Sequence, residues 1–368
     1  MQIPDDWRHA ADEIVASPRR RRVIMVVGAT DVGKSSFCAY LASRLQETRL
    51  RTAVVDADIG QSSIGPPTVI GAGFVTHPID DLAQIGLVAG YFVGSITPAR
   101  HLLPCVVGTR KMMERMLALQ AVAVIVDTTG LVLGDIGREL KQREFELLSP
   151  THTVVIQKGT EISHLAKQWR PIRWTTVFEL QAPPEARQRS REERRQYRME
   201  RFREHFREAR ELTVSLEQAV LSGTWLGQGE RLSEEQCALL SEPLGSEVVH
   251  GERLGDRALL ITAEPPYRSG IRLAREILGM EIVSVVPAGR FSHLLVGLLD
   301  DCEEWLSLGI IRYVDFRRLR LRLLAPPLHS RRVCKVVFGS LKVRPCLLYT
   351  SDAADEGLGV DLGGRRII

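Results

Sequence analysis

The residues whose types and spacing dictate a chemistry are Gly28-Ala29-Thr30-Asp31-Val32-Gly33-Lys34-Ser35-Ser36, in a chain of 368 residues. In a G-x-x-x-x-G-K-S run the backbone N–H groups turn inward as an anion nest, and a helix starting there adds partial positive charge. Lys34 is spaced to reach the β- and γ-phosphates of a nucleoside triphosphate, and the Ser35 hydroxyl to hold Mg²⁺. The flanks agree. An apolar, β-branched run (Val23 to Val27) leads in, and Phe37, Tyr40, Leu41 and Leu45 continue at helical spacing. A chance glycine-rich turn would not carry both flanks, so the sequence implies a bound triphosphate.

Carboxylates recur where such a ligand would lie. Arg51-Thr-Ala-Val-Val-Asp56-Ala57-Asp58-Ile59-Gly60-Gln61 reads as a strand ending in carboxylates, and in α/β sheets ligands sit beyond the carboxyl ends of the strands. Two residues apart on a strand, Asp56 and Asp58 would share a face, one holding Mg²⁺ through water and the other facing a nucleophile. A polar strand-end turn would use the same residues. Ala121 to Asp127 is a second apolar strand, running into Thr128-Thr129-Gly130-Leu131, and Thr151 to Lys158 a third. Ahead of the second strand, Thr97, Pro98 and His101 open a helical segment over about 101–119. The alternation predicts an α/β fold, a parallel sheet with helices on both faces.

Arginine is concentrated over 187–210, with glutamates at helical spacing. The run reads either as a solvated helix with i,i+4 pairs or as a net-positive lid whose guanidinium groups close over a transferring phosphoryl group; its position after a triphosphate site favours the lid. Beyond 223 the pattern changes to short strand-like runs with frequent turns and one helix near 268–278, a smaller, mainly β C-terminal domain. Its basic alternating strands suit nucleic acid or water equally.

Composition narrows the class. The net charge of +4 is modest, and no apolar run approaches the roughly 20 residues of a membrane span. Six scattered cysteines without a C-x-x-C pair argue against a disulfide framework or a zinc site. With no secretory segment at the N-terminus, a cytoplasmic location is expected. The domains are read as a short segment 1–20, a phosphate-loop domain 21–222 and a β domain 223–345. Residues 346–368 resemble translated sequencing-library adapter: back-translation of Cys346 to Glu356, and of Val360 to Ile368, allows two adapter ends in the right order and frame. That stretch is therefore expected to be non-native and to pack against nothing.

Together the motifs resemble the P-loop polynucleotide 5′-hydroxyl kinase family, the RNA kinases of tRNA splicing, pre-mRNA cleavage and ribosomal RNA processing. The residues that carry the resemblance are Asp56-Ala-Asp58-Ile-Gly60-Gln61, Phe92-Val-Gly-Ser with Pro98 and His101, Thr128-Thr-Gly130, and the arginine run through Arg189, Arg194 and Arg198. The resemblance implies that Asp58 orients or deprotonates a 5′-hydroxyl and that Asp56 and Ser35 organise Mg²⁺. It makes Thr128 and Gly130 a clasp on the phosphate-loop lysine. Arg194 and Arg198 become the lid arginines, and Gln61, Thr97, Pro98, His101 and Arg189 the contacts to acceptor. The implied reaction moves the γ-phosphate of ATP to the 5′-hydroxyl of RNA, with DNA open as a second acceptor and RNA-processing proteins as candidate partners. Leu131 stands where eukaryotic members usually have an aromatic residue, and their extra N-terminal β domain has no counterpart before Gly28, the pattern of a compact prokaryotic form.

Two other classes compete. A regulatory ATPase or GTPase of the partitioning or metal-insertion type shares the loop and the D-x-D strand, but the guanine-reading N-K-x-D position is Gln157-Lys158-Gly159-Thr160. Such switches also have no use for an arginine-rich lid. A non-catalytic ATP-binding scaffold would not need Lys34, Ser35, Asp58, Arg194 and Arg198 together.

Overall fold

In the computed structural model, which describes residues 3–344 and 349–352, the chain forms two compact units that divide between Phe202 and Arg203. The first unit opens with α1 (Asp5–Ala16), β1 (Arg22–Gly28), α2 (Lys34–Glu47) and β2 (Thr52–Asp56). It continues through β3 (Val69–Phe74), β4 (Ala89–Phe92), α3 (Leu102–Ala118), β5 (Ala123–Asp127) and α4 (Gly134–Leu148). β6 (His152–Gln157), α5 (Ser163–Trp169), β7 (Thr176–Gln181) and α6 (Arg191–His205) complete it, the last turn of α6 crossing the division.

Its sheet has the order β4-β3-β2-β5-β1-β6-β7. The five strands from β2 to β7 run parallel, whereas β3 pairs antiparallel with both β2 and β4. The sheet is therefore mixed rather than wholly parallel. The strands β1, β2, β5 and β6 are buried along their whole length, which is why their middles are apolar on both faces. Alternate residues serve opposite faces. Val23, Met25 and Val27 pack into a core with residues of α3, α4 and α5, and Ile24 and Val26 into a second core with residues of α1 and α2. Helix α1 thus belongs to this unit. Trp7, Ala10, Ala11 and Ile14 lie fully buried along its inner face, and Trp7 meets Phe37 edge-on, ring centroids 5.3 Å apart.

The second unit holds β8 (Arg210–Ser215), β9 (Val220–Ser222), β10 (Glu230–Arg231), α7 (Glu234–Leu244), β11 (Val248–Leu254) and β12 (Arg257–Thr262). Then come α8 (Arg268–Leu278), β13 (Ile282–Pro287), β14 (Leu294–Leu299), β15 (Trp305–Asp315), β16 (Arg320–Ala325), β17 (Lys335–Arg344) and β18 (Tyr349–Asp352). A sheet ordered β18-β17-β14-β15-β16-β8 carries one core, and β10 to β13 with α7 and α8 a smaller one. Because β8 and β9 pair with β16 and β17, the second domain starts near 203 rather than 223. Helix α7, which the sequence reading omits, is closed by a Ser233–Gln236 capping box. Tyr349–Asp352 pairs antiparallel with Leu341–Arg344, which runs against the expectation that this stretch packs on nothing; the rest of 346–368 lies outside the described residues.

Candidate active site

The phosphate loop joins β1 to α2. Gly33, the residue before α2, sits at φ +94°, in the left-handed region where a side chain is strained, and a Cβ there would come within 2.9 Å of the Trp7 ring. The N-terminal helix therefore buttresses the loop from behind, a role the sequence reading of 1–20 misses. No acidic residue occupies the first turn of α2, so its N-terminal charge is left for an anion. Lys34 is buried and donates from Nζ to the Ala29 carbonyl at 2.8 Å, held along the loop itself.

The two strand-end carboxylates separate in role. Ser35 Oγ donates to Asp127 Oδ2 at 2.5 Å, while Asp127 Oδ1 is buried with no hydrogen-bond partner. Asp56, expected to share Mg²⁺ with Ser35, instead accepts from backbone N–H groups on both oxygens: Asp58 at 3.0 Å, Ser63 at 2.6 Å and Ile64 at 3.0 Å. Its carboxylate organises the loop that follows β2. The cause is strand order: β5 lies between β1 and β2, so Asp127 is the carboxylate next to the phosphate loop. Asp58 lies past the end of β2, so the two aspartates do not share a strand face; its Oδ1 accepts from Gly60 and Gln61 N–H, each at 3.1 Å.

Burial first, and then the Asp127 and Asp58 charges, push Asp56 up to about 8. Burial pushes Asp127 up to about 6, with the Lys34 ammonium and the Ser35 hydroxyl pulling the other way. Crowded carboxylates with an orphaned buried oxygen form a site that a divalent cation would relieve. Lys141 on α4, fully buried and paired to Glu144 at 2.7 Å, also draws Asp127 down. Burial in turn lowers Lys141 itself.

Of the two clasp residues, Thr128 bonds the strand that leads into the loop and Gly130 lies against the loop itself. Thr128 donates to the Val26 carbonyl at 2.8 Å, tying β5 to β1. A Cβ on Gly130 would fall 2.4 Å from Thr30 Oγ1, so only glycine lets this segment lie against the phosphate loop. Thr97, Pro98 and His101 form the connection into α3, and Thr68 N–H to Ile59 O and Val93 N–H to Thr68 O tie the start of that connection to the Asp58 loop.

Helix α6 is held against the same edge. Arg194 donates to Asp31 Oδ2 at 2.6 Å, and the Arg189 N–H donates to the same oxygen at 3.0 Å. The Arg189 guanidinium lies over the Tyr197 ring, 5.7 Å from its centroid. Gln61 Nε2 donates to the Arg194 carbonyl, Tyr197 to the Ser62 carbonyl, and Arg201 to the carbonyls of Ser63 and Gly65 at 2.8 and 2.9 Å. Arg198 lies one turn beyond Arg194, half-buried like it. Asp31 is read from sequence only as part of the phosphate loop, and the docking residues Tyr197 and Arg201 are not singled out there; their i+3 and i+7 spacing on α6 from Arg194 was the available signal.

A phosphate loop closing on a carboxylate-ended parallel sheet defines a P-loop nucleotide-binding protein. Residues 28–208 match the family described as mRNA cleavage and polyadenylation factor CLP1 P-loop. The chain is 32% identical over 342 residues to the polyribonucleotide 5′-hydroxyl-kinase of Pyrococcus furiosus, 93% of each chain. It is 29% identical over 345 residues to that of Methanocaldococcus jannaschii, 93% of this chain and 92% of the other. It belongs to the CLP1 P-loop family. In fold it is similar to a structure of the wild-type Clp1p–Pcf11p complex, with a TM-score of 0.60 at 14% identity over 90% of this chain and 77% of that one.

Proposed function

We infer that the protein is a polyribonucleotide 5′-hydroxyl kinase, moving the γ-phosphate of ATP to the 5′-hydroxyl of RNA. The observation that carries the reading is the meeting, beyond the C-terminal ends of β1, β2 and β5, of the phosphate loop, the Ser35–Asp127 pair, the Asp58 loop and an arginine helix seated on both. Phosphoryl transfer asks a protein for alignment and charge neutralisation rather than covalent work. The loop amides and Lys34 hold the β- and γ-phosphates. Ser35 and the unpartnered Asp127 Oδ1 are the groups fitted to hold Mg²⁺, which would supply charge neutralisation to the phosphates. Asp58, with Oδ1 committed to the turn, orients the 5′-hydroxyl and takes its proton. Arg194 and Arg198 offer bidentate donors to the charge that spreads over the transferring group.

The acceptor is held through its backbone, so turnover should show weak sequence preference and strong salt dependence. Gln61 joins the acceptor loop to the lid, and Thr97, Pro98, His101 and Arg189 complete the acceptor side. A processing-protein partner belongs to the same proposal. The switch-type reading is weakened by Gln157, which is buried and bonded to Ser163 Oγ and the Ile162 N–H instead of facing a base. No helix among the described residues is long and apolar enough to cross a membrane.

The test supplies γ-labelled ATP, Mg²⁺ and matched RNAs ending in a 5′-hydroxyl or a 5′-phosphate. Label should reach only the hydroxyl-ended RNA and be lost in Lys34→Ala and Asp58→Ala. ATP hydrolysis with no label on either RNA would overturn the reading in favour of a switch.

A further inference from the structure

Asp31 puts a carboxylate inside a loop built to bind anions. Its backbone is left-handed, φ +61°, a conformation that asparagine or glycine would adopt without bringing negative charge to a triphosphate. The charge is not idle. Asp31 Oδ2 accepts from the Arg194 guanidinium at 2.6 Å and from the Arg189 backbone N–H at 3.0 Å, and both side chains of the ion pair are largely shielded, 13% exposed for Asp31 and 30% for Arg194. The segment entering α6 also runs past the loop, where Pro183 lies 3.6 Å from the position a Gly33 Cβ would take. The lid is thus anchored on the phosphate loop at two points of its N-terminal turn, and both anchors end on one carboxylate oxygen.

We propose that Asp31 is a positioning residue that makes triphosphate affinity conditional on the lid being seated. With Arg194 in place, the Asp31 charge is cancelled, and the remaining guanidinium N–H groups are free to be presented to the γ-phosphate from a fixed position. With the lid away, the bare carboxylate repels the phosphates. Because coupling between two binding events is reciprocal, ATP entering the loop holds the lid on the loop in turn. Nucleotide is then retained chiefly in the arrangement that has its arginine ready. This rests on the role proposed above for Arg194 at the γ-phosphate.

A double-mutant cycle tests it. ATP affinity and kcat for a 5′-hydroxyl RNA are measured for wild type, D31N, R194A and D31N/R194A, with thermal melts to check folding. R194A should weaken ATP binding about tenfold, because Asp31 is left uncompensated beside the phosphates. Adding D31N should restore affinity to within about threefold of D31N alone, while kcat stays low in both proteins lacking Arg194. Should R194A melt early, Arg194→Gln keeps the stem and is scored in the same way. A double variant that binds ATP no better than R194A, or an R194A that binds it as wild type does, would overturn the proposal. An R194A with unchanged kcat would instead fail the catalytic reading of Arg194 and leave the affinity cycle to be read by itself.

Discussion

Two neighbouring strands of one sheet end in aspartate at the same level, Asp56 on β2 registered directly against Asp127 on β5. Both carboxylates are buried, yet one is consumed by structure and the other is left for chemistry. Asp56 spends its oxygens on three backbone N–H groups and so shapes the loop that carries Asp58. Asp127 bonds a single hydroxyl and keeps one oxygen open. A carboxylate whose acceptor sites are filled by fixed amides is a scaffold element, and the one with a buried unpartnered oxygen beside the phosphate loop is the cation ligand we propose. Residue type and burial are the same at both strand ends; the count of satisfied lone pairs tells them apart.

That contrast can be broken most sharply by Asp127→Asn, which keeps the volume and an acceptor for Ser35. It should lower kcat by about a hundredfold or more, while the melting temperature holds or rises because like-charge crowding is relieved. A stable protein with near-normal turnover would end the assignment. Asp56→Ala should do the reverse in emphasis. Leaving three backbone donors without their acceptor should cost about 3 kcal/mol of stability, measured by urea unfolding, and any activity loss should be smaller than that of Asp127→Asn at low temperature. Gly130→Ala sharpens the Asp127 side, since its methyl must displace Thr30. It should cost about 2 kcal/mol and weaken ATP binding, with the acceptor KM little changed.

The smallest effect concerns pH and serves as a control. His152 begins β6, at the N-terminal end of the strands and away from the phosphate loop, buried and lowered to about 4 by desolvation first and then by Arg19 and Arg22. Its folded value lies below the ordinary histidine range, so the unfolded chain binds the extra proton. Stability is fully present above about 6.5 and should fall by about 2 kcal/mol as pH drops to about 5. His152→Phe should flatten that window. A slope that persists in the variant would have to be traced to other groups.

The sequence is most legible where chemistry needs neighbours in the chain. Gly28 to Ser35 is read complete, because the anion nest, the ammonium and the hydroxyl are local. So are the buried strands, whose apolar runs follow from being covered on both faces. Asp56 and Asp127 are confused because their roles depend on strand order: β5 enters between β1 and β2 from some 70 residues downstream. The antiparallel pair β3 and β4 is missed since short strands set among glycines and prolines carry little periodicity. Nothing in the short segment 1–20 marks Trp7 in the sequence, and only the fold places its ring against Gly33. Lys141 and Glu144 look like an ordinary i,i+3 surface pair and are in fact fully buried, which no pattern of residues reveals. The second unit stays functionally silent for another reason: its mainly β character is legible, though α7 and β8 are not, and its described residues bring no comparable catalytic set together.

The account turns on which strand end holds the metal. Mn²⁺ can stand in for Mg²⁺, and its binding in the presence of ATP can be followed by electron paramagnetic resonance in wild type, Asp127→Asn and Asp56→Ala below their melting range. The account predicts that Asp127→Asn weakens Mn²⁺ binding about tenfold or more, while Asp56→Ala binds it as wild type does. The reverse order, with Asp56 required and Asp127 dispensable, would contradict it.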